Sequence, residues 1–357
     1  MKSPAAYLVL ESGKTFSGWW MGGQEKAGEV VFNTSHSGYE EMATDPSYYS
    51  QILVLTAPMQ GNYGVSSEVW ESRKIWIHGF VCVEIQNNSY DSEWQDRLEQ
   101  YQVPVVAGLD TRSLVLHLRE QGTTWGALVK AGSEEEACEK AEVLIKEQKK
   151  QDKDWVYQVT SRKVVDIIGD EARGPRVAIL DFGSKKNILR ELKKRCSALR
   201  IFPSRSSASE IKAWQPHGIM LTNGPGDPEN VQVAQDTVRE LLGWRFIFGI
   251  CMGHQILSLA LGAKTYKLKY GHRGSNHPIE DKLLSRIYMT SQNHGYAVRK
   301  ESLPPDVQLT HVNLNDQTVA GIFSEEKKCL GVQFHPESHP GPHESVELFD
   351  YFIKRLM

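Results

Sequence analysis

No apolar stretch among the 357 residues approaches the ~20 that a membrane-spanning helix requires. The expectation is that the chain does not enter a membrane. The five cysteines, at 82, 138, 196, 251 and 329, are odd in number and widely scattered, and no CxxC pair occurs. That argues against a disulfide framework and against a structural zinc site. Cys251 and His254 are three apart and could both touch a metal, but no further Cys or His pattern supports them, so no metal is expected. An excess of basic residues is also lacking: 41 Lys+Arg face 44 Asp+Glu, for a net charge of −3. No broad positive field is available to grip nucleic acid. There is no Gly-x-x-x-x-Gly-Lys-Ser/Thr loop, so nothing points to ATP bound by a P-loop in this chain. The opening, Met1-Lys2-Ser3-Pro4, runs straight into a strand-like Tyr7-Leu8-Val9-Leu10, with neither a signal-peptide core nor a transit-peptide arginine pattern. A cytoplasmic protein is expected.

Forty percent of the chain is apolar and 24% is charged, which suits a globular protein with real cores, and the length suits two domains. Residues 1–132 read as short strands and turns, with β-branched runs at Val30-Val31-Phe32 and Ile52-Leu53-Val54-Leu55. A helix is predicted from Asp110 or Thr111 onward, with Leu114, Val115 and Leu118 on one side. Residues 133–151 read as a charged helix, acidic in its first turn and Lys-rich in its last, as the helix dipole favours. Residues 161–175 read as linker, so 133–175 form a helical segment and linker. From 176 to 357 the pattern changes. Val177-Ala178-Ile179-Leu180, Gly218-Ile219-Met220-Leu221 and Phe246-Ile247-Phe248-Gly249-Ile250 are short apolar runs separated by helical stretches. The predicted fold class is α/β: a C-terminal, mostly parallel sheet flanked by helices, preceded by a strand-rich mixed α/β domain. In such sheets ligands sit at the carboxyl ends of the strands.

Three loops at those ends carry chemistry. Gly249-Ile250-Cys251-Met252-Gly253 has the form of a nucleophile elbow with Cys in place of Ser. Glycines on either side relieve crowding at the bend, and a helix N-terminus favours thiolate and offers N–H groups to an oxyanion. The same five residues also describe a tight turn around a small buried cysteine. Gln333-Phe334-His335-Pro336-Glu337 adds a histidine and a carboxylate two positions apart on an extended segment, so that they share a side. Glu337 can hold the imidazole tautomer, leaving the other nitrogen for a thiol. Alone, this is equally a strand-end turn. Asn223-Gly224-Pro225-Gly226-Asp227-Pro228 is a loop whose glycines let a substrate approach the backbone. His254, His272, His277, His311, His339 and His343 read as structural or rim residues, and Cys82, Cys138, Cys196 and Cys329 as packing.

Taken together, Gly-Ile-Cys-Met-Gly-His-Gln, Asn-Gly-Pro-Gly-Asp-Pro and Phe-His-Pro-Glu resemble the class I glutamine amidotransferase domain across residues 176–357, and Ser291-Gln292-Asn293-His294-Gly295-Tyr296 adds a fourth match. The N-terminal half carries Gly28-Glu29-Val30-Val31-Phe32-Asn33-Thr34-Ser35, Gly38-Tyr39-Glu40-Glu41, Thr44-Asp45-Pro46-Ser47-Tyr48 and Gly108-Leu109-Asp110-Thr111-Arg112. These are similar to the carbamoyl-phosphate synthetase small-chain family. The resemblance implies a subunit that hydrolyses L-glutamine and feeds ammonia to a separate large chain in a heterodimer or higher oligomer. That partner would use bicarbonate, ATP and Mg to make carbamoyl phosphate for arginine and pyrimidine biosynthesis, and no cofactor is implied in this chain. It implies Cys251 as nucleophile, His335 as general base and acid, and Glu337 as orienting carboxylate. Glutamine contacts map to Ser47, Gly224, Gly226, Met252, Gln255, Asn293, Gly295 and Tyr296. Met252 stands where Leu is common in the family and Tyr296 where Phe is common, but neither change removes a catalytic group. The alternative, counted against by the Asn223–Pro228 loop, is an elbow hydrolase that turns its cysteine on another amide or an ester.

Overall fold

The computed structural model describes residues 4–86 and 93–357; the Met1-Lys2-Ser3 opening lies outside them. The chain divides into two compact units, Met1–Asp152 and Lys153–Met357.

Among the described residues of the first unit, seven strands close into a barrel. The order is Ala5–Leu10, Thr15–Gly22, Val105–Ala107, Gly79–Val81, Gln51–Leu55, Lys26–Asn33 and Thr124–Lys130, which pairs back to the first. Period-2 alternation serves both faces of the wall. Leu53 and Leu55 pack outward with Tyr39, Met42 and Trp94 of the covering helices, whereas Ile52 and Val54, equally buried, point to the interior. The expected helices form. Thr111–Gln121 is capped by Asp110, whose side chain accepts the Ser113 N–H, and buries Leu114 and Leu118. Glu134–Lys149 is capped by Ser133 and packs Ala137, Ala141 and Ile145 against Val9, Ala127 and Val129 of the barrel.

The second unit is a ten-stranded sheet. At its centre Ala198–Pro203, Arg176–Asp181, Gly218–Leu221, Phe246–Ile250 and Cys329–Val332 run parallel. The strands between residues 265 and 324 join antiparallel, so the sheet is mixed, with the parallel part where the sequence places it. Each central strand is apolar on both sides because both faces are covered. Val177 and Ile179 face the helices Lys186–Lys193 and Glu347–Lys354, whereas Ala178 and Leu180 face Gln232–Leu241 and Met252–Ala260. Residues 161–175, expected as linker, contain the edge strand Val165–Ile168, antiparallel to Ala198–Pro203. Val165 and Ile167 lie half-buried on the core while Ile168 is 85% exposed, and that partial burial leaves only a faint strand pattern.

Four of the parallel strands deliver their carboxyl ends to one side of the sheet. From these ends run residues 182–185, 222–228, 251–253 and 333–339, and three of those four segments are the motif loops read from the sequence.

Candidate functional site

Cys251 sits between the strand Phe246–Ile250 and the helix Met252–Ala260, with φ 52° and ψ −104°. That backbone is uncommon for a residue with a side chain, and it persists only where its surroundings over-determine it. Two flanking glycines do so. A Cβ on Gly249 would lie 2.7 Å from the Gly253 carbonyl, and one on Gly253 would lie 2.3 Å from the Leu221 carbonyl oxygen. The elbow therefore requires glycine at both positions. Cys251 N–H donates to Val332 O at 2.8 Å and Gly253 N–H to Thr222 O at 2.9 Å, which pins the bend between its neighbouring strands. The Met252 N–H, at the first helical position, has no acceptor within the helix.

The side chain of Cys251 is buried, 2% exposed. Its Sγ donates to the Asn293 carbonyl at 3.6 Å and receives the Gln333 amide Nε2 at 3.7 Å. His335 reaches the site from the segment after Cys329–Val332, where its N–H donates to Ser291 O at 2.9 Å. Its Nδ1 lies 2.6 Å from Glu337 Oε1. The extended segment expected from the sequence is instead a turn, closed by Ser338 N–H donating to His335 O at 3.1 Å, and that turn brings the pair together. Nε2 is buried and makes no well-formed hydrogen bond among the described residues. Burial alone would lower the His335 pKa; the Glu337 charge and the adjacent Cys251 side chain outweigh it and hold the imidazole well above its ordinary value. For Glu337, burial pushes upward, but Lys185 and His335 outweigh it and hold the carboxyl below the usual range.

Lys185 is a member of this group that no sequence motif announces. It is 2% exposed, and its Nζ lies 3.1 Å from Glu337 Oε1 while donating to the Ser338 carbonyl. Asn187 adds a side-chain donor to the Glu337 carbonyl. The Lys185 N–H donates to Asn223 Oδ1 at 3.0 Å, which ties the segment after Arg176–Asp181 to the Gly224 loop. In that loop a Cβ on Gly224 would meet the Phe182 carbonyl oxygen at 2.3 Å, and Gly226 has φ +89° with Trp155 behind it.

Of the expected glutamine contacts, Met252 follows the cysteine in the chain, Gln255 and Asn293 hydrogen-bond to it, and Tyr296 reaches it through Gln255 and Gln333. Gln255 Nε2 donates to the Tyr296 carbonyl at 2.7 Å and to Gln333 Oε1 at 3.0 Å. His294 also serves this carbonyl, with Nδ1 at 2.7 Å; a carbonyl only accepts, so Nδ1 carries the proton. Burial drives the His294 pKa well below the ordinary value. Gly295 lies beside the Arg273 guanidinium, 3.3 Å from where its Cβ would stand. His254, three residues past the cysteine, is fully buried and driven by burial to a pKa of about 3. Among the described residues no group of three or more His, Cys, Asp or Glu side chains is arranged to hold a metal. No described helix is long and apolar enough to cross a membrane.

Ser47 belongs to the first unit. It is 5% exposed, in the turn Pro46–Tyr48, where Asp45 Oδ1 accepts its N–H at 2.9 Å. The preceding helix Tyr39–Thr44 is anchored through Glu40, whose carboxylate accepts Trp70 Nε1 at 2.7 Å and Ser66 N–H at 3.0 Å. The Thr44 hydroxyl accepts the Glu71 N–H at 2.9 Å.

Residues 178–355 match the family model for glutamine amidotransferase class-I, and residues 8–128 match that for the carbamoyl-phosphate synthase small chain, CPSase domain. The chain is 47% identical over 355 residues to the carbamoyl phosphate synthase small chain of Symbiobacterium thermophilum, covering 96% of each. It is 44% identical over 364 residues to that of Chlorobaculum tepidum, covering 100% of this chain and 99% of the other. The small chain of Listeria innocua is 43% identical over 358 residues, 98% of this chain and 96% of that one.

Proposed function

The chain belongs to the carbamoyl-phosphate synthase small-chain family, and from that premise we propose that it hydrolyses glutamine through Cys251, His335 and Glu337 and delivers ammonia to a large synthetase chain. The observation that carries the reading is a cysteine forced onto a strained elbow beside a buried His335–Glu337 pair. Cys251 passes its thiol proton to His335 and attacks the side-chain carboxamide of glutamine as the thiolate. The N–H groups of Gly224 and Met252 receive the oxyanion, and losing one such donor typically costs ~10²–10³ in rate. His335 protonates the departing ammonia and then activates the water that cleaves the glutamyl thioester, steps worth roughly 10²–10⁴ each. Glu337 orients the imidazole, and Lys185 keeps Glu337 ionised. Gly224, Gly226, Met252, Gln255, Asn293, Gly295 and Tyr296 hold the substrate. ATP, Mg and bicarbonate belong to the large chain, and this chain carries no cofactor.

The test is Cys251→Ser in complex with the large chain. Glutamine-dependent carbamoyl phosphate synthesis is lost while synthesis from added ammonia continues. Glutamate release at the normal rate from that variant refutes the assignment.

A further inference from the structure

Two buried side-chain amides form a line from a backbone carbonyl to the cysteine sulfur. Tyr296 O accepts Gln255 Nε2 at 2.7 Å, the same nitrogen donates to Gln333 Oε1 at 3.0 Å, and Gln333 Nε2 lies 3.7 Å from Cys251 Sγ. Gln255 and Gln333 are 2% and 1% exposed. The direction of this line is not arbitrary. A backbone carbonyl can only accept, so Gln255 must turn its NH2 toward Tyr296. That NH2 also faces Gln333, which must present its oxygen. The remaining NH2 of Gln333 is thereby aimed at the sulfur. Each link in the line fixes the next, and the fixed end is main chain.

We propose that Gln333 is a further catalytic residue of the glutaminase reaction, donating a hydrogen bond to the Cys251 sulfur in its thiolate form, with Gln255 as the positioning residue that sets its polarity. The proposal rests on the reading of Cys251 as the nucleophile. As a thiol, Sγ–H has the Asn293 carbonyl as acceptor at 3.6 Å. Once the proton leaves, that carbonyl faces a negative sulfur and repels it. The Gln333 N–H changes in the opposite sense, because a donor to an ionised acceptor gains strength. In a site this dry the gain is not diluted by water. Gln255 is itself an expected glutamine contact, so a substrate that engages it touches the same line of amides that ends on the sulfur.

The measurement is alkylation of Cys251 by iodoacetamide across pH, followed on the Cys251 peptide by mass spectrometry so that the other four cysteines do not interfere. Hydrogen bonds to charged groups imply a slowing of roughly ten- to a hundredfold at neutral pH in Gln333→Leu, with the profile moved to higher pH. Gln333→Glu, which places a carboxylate where the donor stood, slows it further. Glutamine turnover falls in kcat more than it rises in KM. A packing change alone would leave the alkylation profile in place. Should the leucine variant fail to fold, Gln333→Met keeps the unbranched shape and gives the same readout. Profiles of Gln333→Leu or Gln333→Met that superimpose on the parent overturn the proposal. A glutamine-analogue electrophile separates the two levels of failure. If it does not label the parent Cys251 even with the large chain present, the nucleophile reading itself falls. If it labels the parent and the profiles coincide, only the role of Gln333 falls.

Discussion

Replacing Lys185 by methionine leaves a carboxylate stranded. Lys185 Nζ and Glu337 Oε1 are 3.1 Å apart, with side chains 3% and 0% exposed, so water cannot take the lost partner's place. Removing one member of a buried pair typically costs about 3–5 kcal/mol, because the survivor must stay ionised without its counter-charge or take up a proton. His335 Nδ1 still faces Glu337 at 2.6 Å, which puts the expectation at the lower end, about 3 kcal/mol. For a unit of this size that corresponds to a fall in Tm of about 6–12 °C. The sign with pH follows from the direction of the shift. Glu337 is held below its ordinary value of 4.5, so its pairing contributes stability above about pH 4.5 that is lost as acid protonates the folded state. The difference between parent and Lys185→Met is therefore complete at pH 7 and shrinks below about pH 4.5. Adding Glu337→Gln to Lys185→Met removes the stranded charge and restores much of the Tm without restoring turnover. Calorimetry from about pH 2 to 7 on the parent, both single variants and the double variant decides the matter. A loss under about 1 kcal/mol for Lys185→Met at pH 7, or a double variant no more stable than Lys185→Met, refutes the reasoning.

Gly253→Ala puts a Cβ 2.3 Å from the Leu221 carbonyl, so the elbow must move by about 1 Å; misplacement of that size typically lowers kcat roughly a hundredfold. Steady-state glutaminase kinetics test this, and a variant within a fewfold of the parent shows that the elbow tolerates the shift. Glu40 in the first unit is pushed up to about 7, chiefly by burial. The folded chain then keeps a proton that the unfolded chain releases near 4.5, so stability falls as pH rises between those values. Glu40→Gln removes that slope in urea titrations at several pH values, and an unchanged slope rules out Glu40 as its origin.

The reactive core was legible because its constraints are local. The elbow is written as an apolar strand followed by glycines at 249 and 253, and both glycines are required by contacts that any such bend creates. His335 and Glu337 are two apart, and the turn that follows His335, closed by Ser338 N–H to His335 O at 3.1 Å, brings them to 2.6 Å. Lys185 was not legible, since its partners Glu337 and Ser338 lie about 150 positions away and a lysine beside a helix start reads as surface. Gln333 was visible inside its motif, yet its meaning depends on Cys251 82 positions earlier and on Gln255 78 positions earlier. The long antiparallel pair Thr265–Asp281 and Arg286–Val298 was hidden for another reason. Bulges between Lys267 and His272 and between Gly274 and His277 break the alternation that marks a strand.

Two lines of groups converge on Cys251, and on the proposed reading they divide its reaction between them. Lys185, Glu337 and His335 alternate in charge, and the raised pKa of His335 means that the imidazole holds its proton at neutral pH. The Cys251 charge is one cause of that raised value, so the proton the imidazole holds is the one the thiol gave up, in a thiolate–imidazolium pair. The imidazolium's task is then to give that proton to the departing ammonia, and only afterwards, as the neutral ring, to take one from water. Beside that imidazolium, the Tyr296–Gln255–Gln333 line is placed to support the thiolate without carrying any charge. This division makes the two sides separable by experiment. Changes in Lys185 should act on the acid step and on the pH dependence of folding, whereas changes in Gln333 should act on sulfur reactivity, with or without substrate. If Lys185→Met shifted the Cys251 alkylation profile as far as Gln333→Leu does, the two lines would have to be a single network, and acid step before base step would no longer follow from their separation.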